Sequence, residues 1–567
     1  MASAVNNLSV ILKSSLVDHI GRIVRWLRVG PLFRWRFTGF CPKEVFVSPI
    51  DLHLANPNLA HEFYHGRFPL AGQIIQLGSM SPFAVNSPMN GWQAALQDFS
   101  WLRHMTANKT ELSNAYARSL ILDWINIIGK RISGNGWQLD VTSRRIIAWL
   151  SHAGMLFYGA SPVFQKRFLK SLGIQVRYLQ TAVNSIPENE TKLQVHIALA
   201  YAALTLPVSA SMARRAQINL ERGLSRHILP DGGHISRNPA ILLDLLIYLI
   251  PLRYCYVERK KTPPPVLITT VDRMLPALRF FQHRDGTLAN FNGVGPTFAE
   301  WLDVVLDTDA TAGLPFSYAP HSGYQRLAFG KTIVIADTGK IAHRKLSQKA
   351  NAGCLSFEMS SGKRRFIVNC GINPSGHSDC RFFGRLTAAH STATVNDTSS
   401  CCFHRPYKAN STIVKGPAQI KIKRIEADNF HGFIAMHDGY KSNFNLLHQR
   451  SMTLSHTGNV LTGSDSFFKG RQERSASPNH KNSEVTVRFH LHPDVEVRQN
   501  DGKTLQLEVP GEDIWYFSTD VDMNLEDSIY FSGLSGPAET QQIVLSFRPL
   551  EKNTAKWIFR RLKSIKK

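Results

Sequence analysis

Residues 327–336 read LAFGKTIVIA, a strand that Asp337-Thr338-Gly339 turns, and they mark the point near residue 320 where the hydrophobic period changes to two. Similar short apolar runs follow at Cys354 to Met359, Arg365 to Val368, Ala393 to Val395, Ile420 to Ile425 and Val485 to Leu491. Val495 to Val497, Leu505 to Val509 and Ile543 to Phe547 continue the series. Many short strands punctuated by Gly, Asn, Asp and Pro predict a β-sandwich or layered sheet. Upstream the period is helical: Ile146, Ile147, Trp149, Leu150, Ala153 and Phe157 keep i, i+3, i+4, i+7 spacing. Helices first and strands afterwards give segregated α and β domains rather than a βαβ fold.

Further helices are predicted at 110–130, 162–185, 191–206, 209–227, 239–256 and 265–282. Ser133 to Gly136, Ile186 to Asn189 and Pro230 to Gly233 carry the turn residues between them. Paired helices with short links suit an antiparallel α/α array. Residues 30–95, rich in Pro, Gly and aromatics, read as irregular chain wrapped over that array. Residues 8–28 read as a basic amphipathic helix, suited to packing on the body or to peripheral membrane contact. The run Ile241 to Leu252, stopped by Pro251, is too short to span a bilayer and reads as a buried helix. The tail beyond 551 reads as a basic helix, with Trp557, Ile558, Leu562 and Ile565 at helical spacing. The expected domains are therefore 1–94, 95–315, 316–550 and the tail 551–567.

Lys plus Arg exceed Asp plus Glu by 66 to 42, a formal charge of +24, so a polyanionic partner is expected. No helix-turn-helix, phosphate-binding glycine loop or G-x-S-x-G elbow appears, which leaves nucleic acid unsupported beyond charge. Seven cysteines without a C-x-x-C pair argue against a disulfide framework and a zinc cluster. The N-terminal apolar stretch Leu8 to Leu12 is cut by Lys13 and Asp18 and does not read as a secretory signal, which points to the cytoplasm. Oligomeric state is not legible.

Six segments, in order, resemble the bacterial heparinase II/III family of polysaccharide lyases. They are Phe99 to Arg103, Asp231 to Pro239, His321 to Tyr324, Gly353 to Glu358, Ala389 to Thr392 and His437 to Tyr440. The resemblance implies an incomplete N-terminal (α/α) toroid followed by a C-terminal antiparallel β-sandwich, with a sugar-chain cleft between them. It also implies β-elimination on uronate-containing polysaccharides, glycosaminoglycans among them, and a periplasmic location. That chemistry needs a group to neutralise the uronate carboxylate, a base for the C5 proton and an acid for the leaving oxygen.

The carry-over is partial. Relatives place an Asn-His pair at a toroid helix start, where this chain has Glu188-Asn189-Glu190-Thr191-Lys192. Their toroid Tyr falls near Ile241, and a structural zinc held by some of them falls on Asn351, Asn369 and His390. One histidine with two asparagines is a poor zinc site, so no metal and no cofactor are expected.

The remaining polar set supplies the candidates. His234 as base or acid and Arg237 on a carboxylate, with Asn238 binding substrate, form one group after the Asp231 turn. The structural alternative makes Asp231 and Asn238 helix caps and His234 a satisfied core histidine. Tyr440 is the candidate replacement for the toroid Tyr, with His437 beside it, and Tyr324 and His321 are candidate cleft residues. Trp92, Trp101 and Trp149 suit either sugar stacking or core packing. Three functions follow: a lyase cleaving an acidic glycan, a hydrolase using carboxylates such as Asp231 and Glu300, or a non-catalytic glycan-binding, envelope-associated protein.

Overall fold

A computed structural model describes residues 37–562 except 79, 86–89, 309–314, 374–377, 471–482, 502–503 and 510–512. The helix expected at 8–28 lies outside the described residues. Two compact units emerge, one running to His227 and including Leu245–Val271, the other comprising Ile228–Asp244 and the chain from Asp272.

The first unit is helical. Glu111–Ile127, Leu139–Ser151, Pro162–Ala182, Glu190–Thr205 and Ala210–His227 fall where the apolar period put them. Their starts are chemically marked: Thr110 accepts from Ser113 N, Ser161 from Phe164 N ahead of Pro162, and Asn189 from Lys192 N. Trp92, Trp101, Trp124 and Trp149 are all at most 2% exposed, so Trp92, Trp101 and Trp149 pack the core rather than sugar rings. The segment read as irregular holds more structure than expected. Asn58–Tyr64 and Asn90–Gln97 are helical, and Arg67–Leu70 pairs with Gln73–Gln76 across Ala71-Gly72, both at positive φ. Ala240–Glu258 continues through Pro251 and is long and apolar enough to cross a membrane. Yet 67% of its apolar window is buried inside protein, as a core helix would be.

The second unit is built on two antiparallel sheets, of nine and eight strands. Alternation drives their packing. Leu327, Val334, Phe357, Met359 and Phe489 of one sheet meet Phe433, Met452, Leu461, Trp515 and Trp557 of the other in one buried core. The run 327–336 is a hairpin rather than one strand: Tyr324–Phe329 pairs with Thr332–Asp337, with Phe329 opposite Thr332. Gly330 supplies the positive φ of that two-residue turn. The tail expected as a helix is instead the strand Thr554–Leu562, paired on both sides within the eight-stranded sheet. Ala555, Trp557 and Phe559 point inward while Lys556 and Arg560 do not, so period two overrode the helical spacing.

Candidate functional site

The turn Asp231 to Asn238 belongs to the sheet-containing unit, and its polar groups are spent on holding that unit together. The Asp231 carboxylate accepts from His321 N at 2.9 Å, Ser322 N at 2.7 Å and the Ser322 hydroxyl at 3.0 Å. Asp231 is therefore no free member of a hydrolytic pair, and Glu300 sits exposed on the helix Ala299–Leu306.

Arg237, at φ +63°, donates to the carbonyls of Ser322 (2.7 Å), Lys340 (2.9 Å) and Gly323 (3.2 Å), and to the Asp337 carboxylate. Every arm of the guanidinium is engaged. Tyr324, fully buried, donates its hydroxyl to Arg237 O at 2.6 Å and accepts from the Asn292 amide at 2.6 Å. His234 is 2% exposed, and its Nδ1 accepts from Ser236 N at 3.1 Å. Asn238 caps Ala240–Glu258 by accepting from Ala240 N at 2.9 Å. The His321 side chain is exposed, while its backbone is tied to Asp231. His234, Arg237, Asn238, Tyr324 and His321 thus form one cluster, and its geometry is that of the structural alternative.

Tyr440 and His437 lie in a second cluster, inside the sandwich core. Tyr440 is 1% exposed and donates to Ala393 O at 2.6 Å, and burial pushes its phenol well above the usual range. A sealed phenol cannot meet a sugar chain, so Tyr440 does not stand in for the toroid Tyr in this structure. His437 Nδ1 accepts from Gly439 N, leaving Nε2–H to donate to His448 Nδ1 at 3.2 Å. His448 Nε2 in turn donates to Asp465 at 2.7 Å, and Arg450 grips both oxygens of that carboxylate at 2.8 and 3.0 Å. This relay is a satisfied buried network.

The positions that the resemblance marks for catalysis hold other chemistry. Asn189 is a helix cap, its side chain accepting from Lys192 N at 3.0 Å. Glu188 beside it is paired with Lys192 at 3.2 Å and Arg226 at 3.1 Å. Ile241 is buried. At the zinc positions, His390 Nδ1 donates to Leu386 O at 2.7 Å, and its Nε2 takes the Asn351 amide at 3.0 Å. Asn369 Oδ1 accepts from Ser391 N at 3.0 Å. With its one imidazole engaged at both nitrogens, the set does not fit zinc.

What the sequence reading missed is an open pocket of about 370 Å³ in the sheet-containing unit, lined by Asp285, Asn290, Arg365, His492, Asp494 and Tyr530 among others. Behind it stands a charged lattice. Arg365 donates to Asp285 at 2.8 Å, Glu358 at 3.2 Å and Leu288 O at 2.8 Å, and Glu358 also takes Asn369 N at 2.9 Å and lies 3.3 Å from His283. Burial alone would raise Asp285, but the Arg365 charge and His283 hold it at about 2. At the mouth, the His492 and Tyr530 rings lie 5.1 Å apart, and Asn290 donates to the Tyr530 hydroxyl at 3.3 Å. Burial lowers His492 and raises Tyr530, so the imidazole is neutral and the phenol protonated near neutrality. One signal was visible beforehand: Glu358 and Arg365 are charges within apolar strand runs, which burial tolerates only when paired.

Residues 311–558 match the family described as heparinase II/III-like, C-terminal. The chain is 29% identical over 548 residues to FtsZ-localized protein C of Caulobacter vibrioides, covering 94% of this chain and 93% of that protein. A mutant of the heparan sulfate lyase HepC from Pedobacter heparinus superposes with TM-score 0.64 at 15% identity, over 99% of this chain and 92% of that one. Heparinase III superposes with TM-score 0.67 at 14% identity, over 87% and 80%. Those superpositions establish the fold, a helical toroid with a β-sandwich. Residues 311–558 thus carry a heparinase II/III-like C-terminal domain, in a chain whose overall fold is that of heparinase III.

Proposed function

We propose that this polysaccharide lyase-like protein holds an acidic, uronate-containing glycan without carrying out the family's elimination at the toroid position. Glu188 carries the reading. A lyase needs a neutralising group against the uronate carboxylate, and this chain presents a carboxylate there, already shared by Lys192 and Arg226. The formal charge of +24 suits an acidic ligand. The name of the Caulobacter relative adds localisation with FtsZ, which we carry over to this chain as part of the reading.

The test pairs binding with turnover. Across a panel of uronate polymers, calorimetric binding is expected with no rise in absorbance from unsaturated uronate. Unsaturated product on any polymer would overturn it, and a fluorescent fusion that does not coincide with FtsZ would remove the localisation.

A second reading, elimination at the sheet-unit pocket, is favoured by one pair: protonated Tyr530 and neutral His492, 5.1 Å apart between ring centroids, suit acid and base roles. Against it, Arg365 already serves two carboxylates. Product formation abolished by Tyr530→Phe with binding retained would establish this reading over the first.

A further inference from the structure

The helical unit carries a groove of about 480 Å³ that none of the candidate residues touches. Arg177 and Gln180 on Pro162–Ala182, with Asn184 on the following turn Val183–Ser185, stand three and seven residues apart and so share one helix face. Arg215 and Asn219 on Ala210–His227 repeat the device at a spacing of four. Both rows line the same groove, over a floor that includes buried Leu199.

Three observations set it apart from an ordinary solvated face. Among the described residues, no hydrogen bond or ion pair engages the side chains of these two arginines, two asparagines and one glutamine. Among the described residues no carboxylate lines the groove, unlike the sheet-unit pocket, which holds Asp285 and Asp494. The wall is also preorganised. Phe37, fully buried, packs edge-on against Tyr178 at 6.0 Å, and Gly173 lets the backbone at Phe40 close in, since an added Cβ there would lie 2.1 Å from Phe40 O. Ser209 and Ser211, at the start of the 18-residue helix, put its positive end at the groove as well.

We propose that this groove is a binding subsite for an anionic saccharide, a conclusion that rests on the acidic-glycan reading above and gives it a location. Arg177 and Arg215 offer planar forks to carboxylate or sulfate, the amides of Gln180, Asn184 and Asn219 match sugar hydroxyls, and the apolar floor takes the C–H face of a ring. The groove is distinct from the Glu188 position. Arg226, which pairs with Glu188, lies ~16 Å further along the same helix from Arg215, at 1.5 Å per residue.

The probes are a tetragalacturonate and a heparin tetrasaccharide, titrated calorimetrically into the full chain at several salt concentrations. Arg177→Gln with Arg215→Gln is expected to weaken binding at least about tenfold and to reduce the salt dependence. Both side chains are exposed, so folding should be unaffected, as circular dichroism can verify. Asn219→Ala should weaken binding while leaving the salt dependence unchanged. The control is Lys421→Gln with Lys423→Gln, exposed positions on Ile420–Ala427, expected to change affinity less than about twofold. Equal losses in the groove pair and the control would mean charge alone and overturn the subsite. Unaltered binding in the groove pair would overturn the subsite while leaving the acidic-glycan reading standing. A wild-type protein that binds neither probe would overturn both.

Discussion

Replacing Arg237 by Met tests whether the Asp231 to Asn238 motif is architecture or chemistry. The guanidinium and the Asp337 carboxylate it meets have side-chain exposures of 9% and 4%. Removing it strands a buried carboxylate, a loss of about 3–5 kcal/mol when one partner of such a pair is taken away. Asp337 would keep Asn292 Nδ2 at 3.2 Å and Gly339 N at 3.0 Å, which favours the lower end. The Ser322 carbonyl loses its donor too, at about 1 kcal/mol, while the Gly323 carbonyl keeps the Thr338 amide at 2.9 Å. The expected cost is about 4 kcal/mol. Because the chain has two compact units, the measurement should be local: native-state hydrogen exchange at the amides of Tyr324–Phe329 and Thr332–Asp337, alongside urea unfolding. Adding Asp337→Asn should recover about 2 kcal/mol, since the two sites are coupled. Protection within about 1 kcal/mol of wild type, together with lost glycan binding, would refute the reasoning and return Arg237 to the substrate.

Two further outcomes are expected. Tyr440→Phe should lower stability by about 1–2 kcal/mol through the unmet Ala393 carbonyl and leave glycan affinity unchanged; a selective loss of binding or turnover would contradict its burial. Burial alone would raise the Asp465 carboxyl, but the Arg450 charge and the His448 N–H hold it well below the usual range. A depressed folded pKa gives stability that is present above the unfolded value of about 3.9 and lost as pH falls toward the folded one. Unfolding free energy should therefore drop below about pH 4, and Asp465→Asn should flatten that limb. An acid limb identical in the variant would show that other carboxylates set it.

The helices and most strands were legible because burying one face imposes a period, and the caps at Thr110, Ser161 and Asn189 mark where the helices begin. Local readings failed where two periods coexisted or a turn hid inside an apolar run, as at Trp557 and Gly330. The site was less legible still. His234, Arg237 and Tyr440 have the residue types of a catalyst, but residue type says nothing of whether a donor is already spoken for. That depends on contacts far apart in the chain, such as Arg237 with Asp337 or Tyr440 with Ala393.

By itself, then, the sequence determined the order of domains and the likeness of the C-terminal one, because hydrophobic period and local motifs act over a few residues. Tertiary structure alone decided which polar groups remain open to a ligand. Arg237 and Arg177 are the same residue type. One is closed by groups roughly a hundred residues away, while the other faces a groove unpaired among the described residues, a difference made only by long-range packing.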